Sequence, residues 1–191
     1  GTHGRKWFTD EKNNIAFSVY IETNCLSEQL ENITTKIAEI LVLIFKDIYN
    51  IQIDIKLPND LYINQKKIGG ILTEARVELS TMNQNAKEQN EEKNKQEIKT
   101  NVKIRDQNVK ADIRNTKTNI ERAKTDIKKV AYTKYLVIGI GINTSKTTFD
   151  DEIKSIATSI KNEYNVEIDR SKIVSEFCNR FEKIIINKIG R

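Results

Sequence analysis

Residues 56–74 read KLPNDLYINQKKIGGILTE and concentrate side chains able to handle anions. Asn59 and Asp60 follow Pro58, the only proline of the chain, and Lys67 comes shortly before Gly69-Gly70. Pro58 restricts Leu57 to extended geometry and stops the preceding strand, so Asn59 and Asp60 project at its mouth. A lysine ammonium is a compact point charge suited to a carboxylate or a phosphate, which is the chemistry expected of Lys67. Gly70 removes a side chain where a ligand must approach the backbone closely. The stretch reads as a ligand wall; it reads equally as a hairpin with a charged tip.

Two other stretches carry unusual residues. The chain opens GTHGRKWF, which uses its only His and its only Trp, and residues 137–143 read VIGIGIN. Arg5, Trp7 and Asn143 stand out in these stretches, and taken singly each has an ordinary role: a surface charge, a core aromatic and a turn former.

The elements that must position these residues follow from periodicity. Asn14–Ile21 alternates as a half-buried strand does. Ser27 is a plausible cap for a helix reaching Tyr49, with Leu30, Ile33, Ile37, Leu41, Ile44 and Ile48 at helical spacing. Residues 51–57 alternate again and run into Pro58. Leu61–Asn64 and Ile68–Leu79 read as a hairpin around Gln65-Lys66-Lys67. Tyr135–Ile142 reads as a buried strand. Two helices are expected at the end: Thr148–Asn162, with Ile153, Ile156 and Ile160 inward, and Ser171–Lys188, capped by Asp169 or Ser171, with Val174, Phe177 and Phe181 inward. Strands, hairpins and helices interleaved in this way predict an α+β domain, a mixed or antiparallel sheet flanked by helices.

Residues 83–129 break the pattern. They hold 13 Lys+Arg against 8 Asp+Glu, leaving 19 of each for the rest of the chain, so the net charge of +5 belongs to this segment alone. A global electrostatic case for a nucleic-acid-binding fold therefore fails. The first part is nearly devoid of apolar side chains. From Val102 a heptad-like register begins, with Val102, Val109, Ala123 and Val130 on one position and Ile113, Ile120 and Ile127 on its partner. The segment reads as a low-complexity, partly helical insertion; the second reading is a docking arm. At 38% hydrophobic residues the chain carries more than core. Its longest apolar run, Ile40–Phe45, is far short of a membrane span, and no export signal stands at the start. Cys25 and Cys178 are expected as reduced, partly buried thiols of a cytoplasmic protein.

Three stretches together, Gly1-Thr2-His3-Gly4-Arg5-Lys6-Trp7, Lys56–Leu61 with Lys67 and Gly70–Glu74, and Val137–Asn143, resemble the biotin–protein ligases. In that family a G-x-G-x-x-G-R-x-W loop, a K-W-P-N-D-L strand end with K-x-x-G-I-L-x-E behind it, and a V-I-G-x-G-I-N strand occur in this order. The fold implied is the class II synthetase-like core shared by biotin and lipoate ligases. The activity implied is ATP-dependent activation of biotin to biotinyl-5′-AMP, then transfer to a lysine of a biotin carboxyl carrier protein domain. The implied catalytic residues are Lys67 and Arg5. Gly4, Arg5, Trp7, Lys67 and Gly70 would line biotin. Arg5, Trp7, Asn59, Asp60, Lys67 and Asn143 would hold ATP, with Asp60 on Mg²⁺.

Departures accompany the resemblance. Many family members carry arginine where this chain has Thr2, and Leu57 replaces the usual tryptophan. The family's preceding strands, helix and S-T-N segment, and its C-terminal β-domain, have no counterpart here. The expectation is an incomplete ligase core, residues 1–79 and 133–191, interrupted by an insertion at 80–132. Lipoate–protein ligases share the chemistry, but their R-R-x-x-G-G-G-x-V loop is absent. A non-catalytic interaction protein acting through the insertion is a third reading. Nucleic acid and membrane are not expected partners, and the family includes edge-strand homodimers.

Overall fold

The computed structural model describes residues 13–83, 102–105 and 127–189. Six strands form one sheet: β1 (Asn14–Leu26), β2 (Asp54–Lys56), β3 (Asp60–Ile63), β4 (Lys66–Asn83), β5 (Val102–Arg105) and β6 (Ile127–Asn143). Their order is β1-β6-β4-β3-β2, with β5 also on β4. β2 with β3, β3 with β4 and β4 with β5 are antiparallel. The α-helices longer than one turn are α1 (Ile33–Tyr49), α2 (Ile160–Tyr164) and α3 (Arg170–Phe181). The α+β class read from the sequence is the observed one.

The described residues divide into two compact units. The first takes residues 13–19, 32–73 and 137–189, and contains every described candidate site residue. Its core consists of Ile37, Leu41, Ile44 and Phe45 from α1, Ile51, Leu61, Ile68 and Ile71 from the β2–β4 region, Ile138 and Ile142 from β6, and Ile173 and Phe177 from α3. α1 packs against α3. The Phe177 ring lies edge-on to Phe17 and stacked on Phe181, at 5.4 Å in both cases. Arg180 fastens the same helix pair, donating to Glu176 at 2.7 Å and to Asp47 at 2.8 Å.

The second unit takes residues 20–31, 74–83, 102–105 and 127–136. The Ser27 and Thr133 hydroxyls share a hydrogen bond at 3.0 Å, and Lys134 reaches Glu78 and Asn24. Cys25, Leu30 and Leu136 are its buried apolar side chains.

Several expectations need correction. Ser27 opens a short 3-10 helix, Ser27–Leu30, and not α1. Asn32 adopts a left-handed conformation at φ 58°, which interrupts the helix, and α1 starts at Ile33. Ile48 is only half-buried. No helix spans 148–159: Ile156 is 61% exposed, and residues 156–158 bond along β4. Ser159 accepts from the Asn162 N–H and so caps α2, which begins at Ile160. In α3, Asp169 is the cap, and Ile173 is buried where Val174 is only half-buried. That helix passes into a π-helical turn at Glu182–Ile186, so it does not run unbroken to Lys188.

The heptad reading fails where it can be checked. Val102–Arg105 is a strand, and Ile127 and Val130 belong to β6. Val102-Lys103-Ile104-Arg105 alternates with period two, and pairing with β4 satisfies that pattern better than a helix would. Val109, Ile113, Ile120 and Ala123 lie outside the described residues. β4 reaches Asn83 and β6 starts at Ile127, so both strands extend into the interval 80–132. Cys25 and Cys178 are free as expected, though Cys178 is exposed.

Candidate active site

The site begins at a hairpin with an irregularity. Asn64 and Gln65 both have positive φ, 48° and 65°, as a two-residue turn between right-twisting strands requires. The turn is therefore Asn64-Gln65, and Lys66 and Lys67 already lie in β4. Register then slips: Ile63 and Tyr62 face Lys66 and Lys67, whereas Leu61 and Asp60 face Gly69 and Gly70. Ile68 is the extra residue of a β-bulge, fully buried.

The bulge brings the chemistry together. In a regular strand Lys67 and Gly70 would point to opposite faces, because side chains alternate with period two. With one residue inserted they share a face. A methyl group on Gly70 would lie 3.3 Å from Asp60 Oδ1 and 3.6 Å from Lys67 Cε. Lys67 Nζ donates to Asp60 Oδ1 at 2.5 Å, with both side chains partly open to solvent. The absent side chain at Gly70 thus leaves this ion pair approachable from one side.

Asn59 serves the hairpin. Its carbonyl accepts from the Ile71 N–H at 2.9 Å, and its side-chain NH₂ donates to the Ile71 carbonyl at 3.1 Å. The Leu57–Pro58 peptide is cis, and Leu57 is 70% exposed. Asn59 thereby fixes the start of β3, where Asp60 stands.

A second layer grips Lys67 from the side away from β3. Its N–H donates to the Ile156 carbonyl at 2.8 Å, and its carbonyl accepts from the Thr158 N–H at 2.9 Å. The Thr158 carbonyl accepts from the buried Asn143 amide at 3.1 Å. Asn143 is thus joined to Lys67 through one intervening residue. The Thr158 hydroxyl donates to Glu163 Oε1 at 2.6 Å, and Asn64 Nδ2 donates to Glu163 Oε2 at 2.7 Å. Those two bonds, the Thr158 hydroxyl foremost, hold the Glu163 carboxyl below its ordinary value.

Of the residues expected at a site, the structure brings Lys67, Asp60, Asn59 and Gly70 together and places Asn143 one backbone link away. Gly4, Arg5 and Trp7 lie outside the described residues. A methyl group on Gly139 would meet only ordinary contacts, the nearest at 3.8 Å to Ser18 Oγ, so packing does not demand glycine there. Thr158, Glu163 and Asn64 escaped the sequence reading. Thr158-Ser159 ahead of an apolar residue is a cap signal, and it would have moved the helix start past Thr158. Asn14 heads β1 in a buried position, and its side-chain amide has no partner among the described residues.

No group of three His, Cys, Asp or Glu side chains able to hold a metal exists among the described residues. Mg²⁺ commonly takes one or two carboxylates and keeps water and phosphate for the rest, so a single carboxylate could serve such an ion here only in company with bound phosphates. Asp60 is the carboxylate available for that role. No helix of the described residues is long and apolar enough to cross a membrane.

Residues 1–86 match the biotin/lipoate A/B protein ligase family. The bifunctional ligase/repressor BirA of Bacillus subtilis is 26% identical over 185 residues, covering 96% of this chain and 41% of BirA. Among solved structures, the biotin protein ligase of Aquifex aeolicus in complex with biotin and ATP superposes with a TM-score of 0.58 at 19% identity, over 98% of this chain and 56% of that one. Its apo structure gives 0.52 at 18% identity, over 94% and 56%. The chain spans less than half of the curated relative's length, and at such identities the structural likeness speaks for the fold. Residues 1–86 thus match the model of that family, and the chain as a whole is similar to BirA and shares the fold of the biotin protein ligases.

Proposed function

We propose that this chain supplies the catalytic core of a cytoplasmic biotin–protein ligase. The observation that carries the reading is the Lys67–Asp60 ion pair held beside a side-chain-free Gly70. In the first step a biotin carboxylate oxygen bonds to the α-phosphorus of ATP, the bond to the bridging oxygen breaks, and pyrophosphate leaves. Bringing one anion onto another requires fixed cations, and Lys67 is such a charge, already oriented. Arg5 would supply a second. In the next step the amine of a carrier-protein lysine attacks the acyl carbon, loses a proton and expels AMP.

Other residues take supporting roles. Asp60 orients Lys67 and would hold Mg²⁺, which neutralises phosphate charge when bound with ATP. Gly70 leaves room for the reacting groups, and Asn59 keeps Asp60 in register. Asn143, whose amide donates to the Thr158 carbonyl, would meet the adenine edge. Trp7, with Gly4 and Arg5, would close over biotin and the adenylate, since a mixed anhydride must be kept from water. Three findings support this reading: the family match over the stretch that contains Lys67 and Asp60, the similarity to BirA, and a residue set fitted to anion-on-anion attack.

The test is a thermal melt with a non-hydrolysable biotinyl-adenylate analogue and, separately, the lipoyl analogue. At about 100 times Kd the ligand stabilises by about 2.7 kcal/mol, roughly 5–10 °C for a chain of this size. The expected result is a shift with the biotinyl analogue that Lys67→Ala abolishes. A shift with the lipoyl analogue alone would replace biotin by lipoate, and a cooperative melt that neither ligand moves would remove the ligase reading.

A further inference from the structure

We propose that Glu163 is a positioning residue for Lys67, acting through Thr158 and Asn64. The link to catalysis rests on the ligase reading; the positioning itself does not. The bulge at Ile68 leaves Lys67 in an irregular part of β4, where a regular ladder cannot hold it. Both main-chain polar groups of Lys67 are directed to residues 156–158. That segment lies outside strands β1–β6 and pairs with β4 through a bridge between Lys67 and Ala157. Something must therefore hold the holder.

Glu163 does so from two sides. One carboxylate oxygen takes the Thr158 hydroxyl and the other takes the Asn64 amide, at 2.6 and 2.7 Å. Asn64 belongs to the turn that joins β3, which carries Asp60, to β4, which carries Lys67. The carboxylate therefore ties the 156–158 segment to the same hairpin whose lysine that segment grips. It closes a loop running from Lys67 through Thr158 and Glu163 to Asn64 and back along β4 to Lys67. Charge-assisted bonds of this kind are the stronger ones. Two donors converge on Glu163, and its two carboxylate oxygens accept one bond each. The lowered Glu163 pKa accords with a carboxylate that stays ionised in this role.

The experiment measures backbone amide hydrogen exchange by NMR together with biotinyl-adenylate formation, on the whole chain. Glu163→Ala removes both carboxylate oxygens and so breaks the bonds to Thr158 and Asn64. Exchange at the Lys67 and Thr158 amides should rise about tenfold, the equivalent of one charge-assisted hydrogen bond. Leu41 in α1 should be unaffected. Glu163→Gln is the conservative control: its oxygen still accepts from Thr158, and the Asn64 amide can turn so that its own oxygen accepts from the introduced NH₂. That variant should keep both amides near wild-type rates. Thr158→Val should reproduce the Glu163→Ala result, and Thr158→Ser should not.

On activity, Glu163→Ala should lower kcat about tenfold while KM for biotin moves less than about twofold, as expected when alignment and not ground-state binding is lost. Wild-type exchange rates in Glu163→Ala, or rates in Glu163→Gln as high as in Glu163→Ala, would overturn the positioning role while leaving the ligase reading in place. A wild-type chain that makes no adenylate, with exchange responding as described, would sink the ligase reading and leave the positioning of Lys67 supported.

Discussion

Gly69→Ala should be among the most damaging single-methyl additions available in this fold. A Cβ at position 69 would stand 2.6 Å from the Gly141 carbonyl oxygen, and 3.3 Å from both Cα and Cγ1 of Ile142. Ordinary contact begins at 3.4 Å, so the nearest atom is about 0.8 Å too close, and it is backbone. The Ile142 side chain can adjust; the carbonyl cannot move without pulling β6 out of place. Position 69 is buried, next to Ile68 and Ile71, so neither strand has solvent to move into. Forced overpacking of this kind costs about 1–3 kcal/mol, and a backbone obstacle belongs at the upper end.

For a chain of this size 2–3 kcal/mol corresponds to a fall in Tm of about 5–10 °C. The internal control is Gly139→Ala, whose nearest contact would be 3.8 Å. It should be neutral, or stabilise by up to about 0.5–1 kcal/mol, because glycine is unfavourable inside a strand. Both are read by circular dichroism melts at equal protein concentration. If Gly69→Ala melts within about 2 °C of wild type, or if Gly139→Ala loses as much, the close approach of β4 and β6 is not what fixes glycine at position 69.

Other expectations can be checked alongside. Gly70→Ala adds a methyl 3.3 Å from Asp60 Oδ1, a flexible group that can yield, so stability should change by less than about 1 kcal/mol while adenylate formation drops; equal activity would remove Gly70 from the site. Asn14→Leu removes a buried amide that lacks partners among the described residues and should raise stability by about 1 kcal/mol; a clear loss in a urea titration would show that the amide is satisfied. Phe177→Ala should cost about 3–5 kcal/mol, since that ring is fully buried between Phe17 and Phe181.

The pH dependence carries a sign. Glu163 has a folded-state pKa below its ordinary 4.5, so its contribution is complete above that value and is lost as pH falls through the folded-state value. Acid melts of wild type should therefore lose stability across that window more steeply than those of Glu163→Gln. Parallel curves would refute the Glu163 bonds.

The sequence by itself determined which residues could do the chemistry and most of the elements that carry them. Lys67, Asp60, Asn59 and Gly70 stood out because their types are specialised and because a single proline and a glycine pair mark the chain around them. α1 was legible because an apolar stripe recurs from Ile33 to Ile44, and β1 because residues alternate; both periodicities are local properties. What the sequence could not show depends on contacts between distant residues. Residues 148–159 have a helical apolar pattern, yet Thr158 and Ile156 bond to Lys67, about ninety positions earlier. Val102–Ile104 fits either a heptad or an alternation, and only the presence of β4 alongside decides. The bulge at Ile68 was hinted at by Gly69-Gly70 but not located by it. Its position sets which face Lys67 occupies, and period-two reasoning would have sent Lys67 away from Gly70. Candidate chemistry is written in residue types, which a sequence displays directly; the alignment of that chemistry is written in register, which arises only when strands pair.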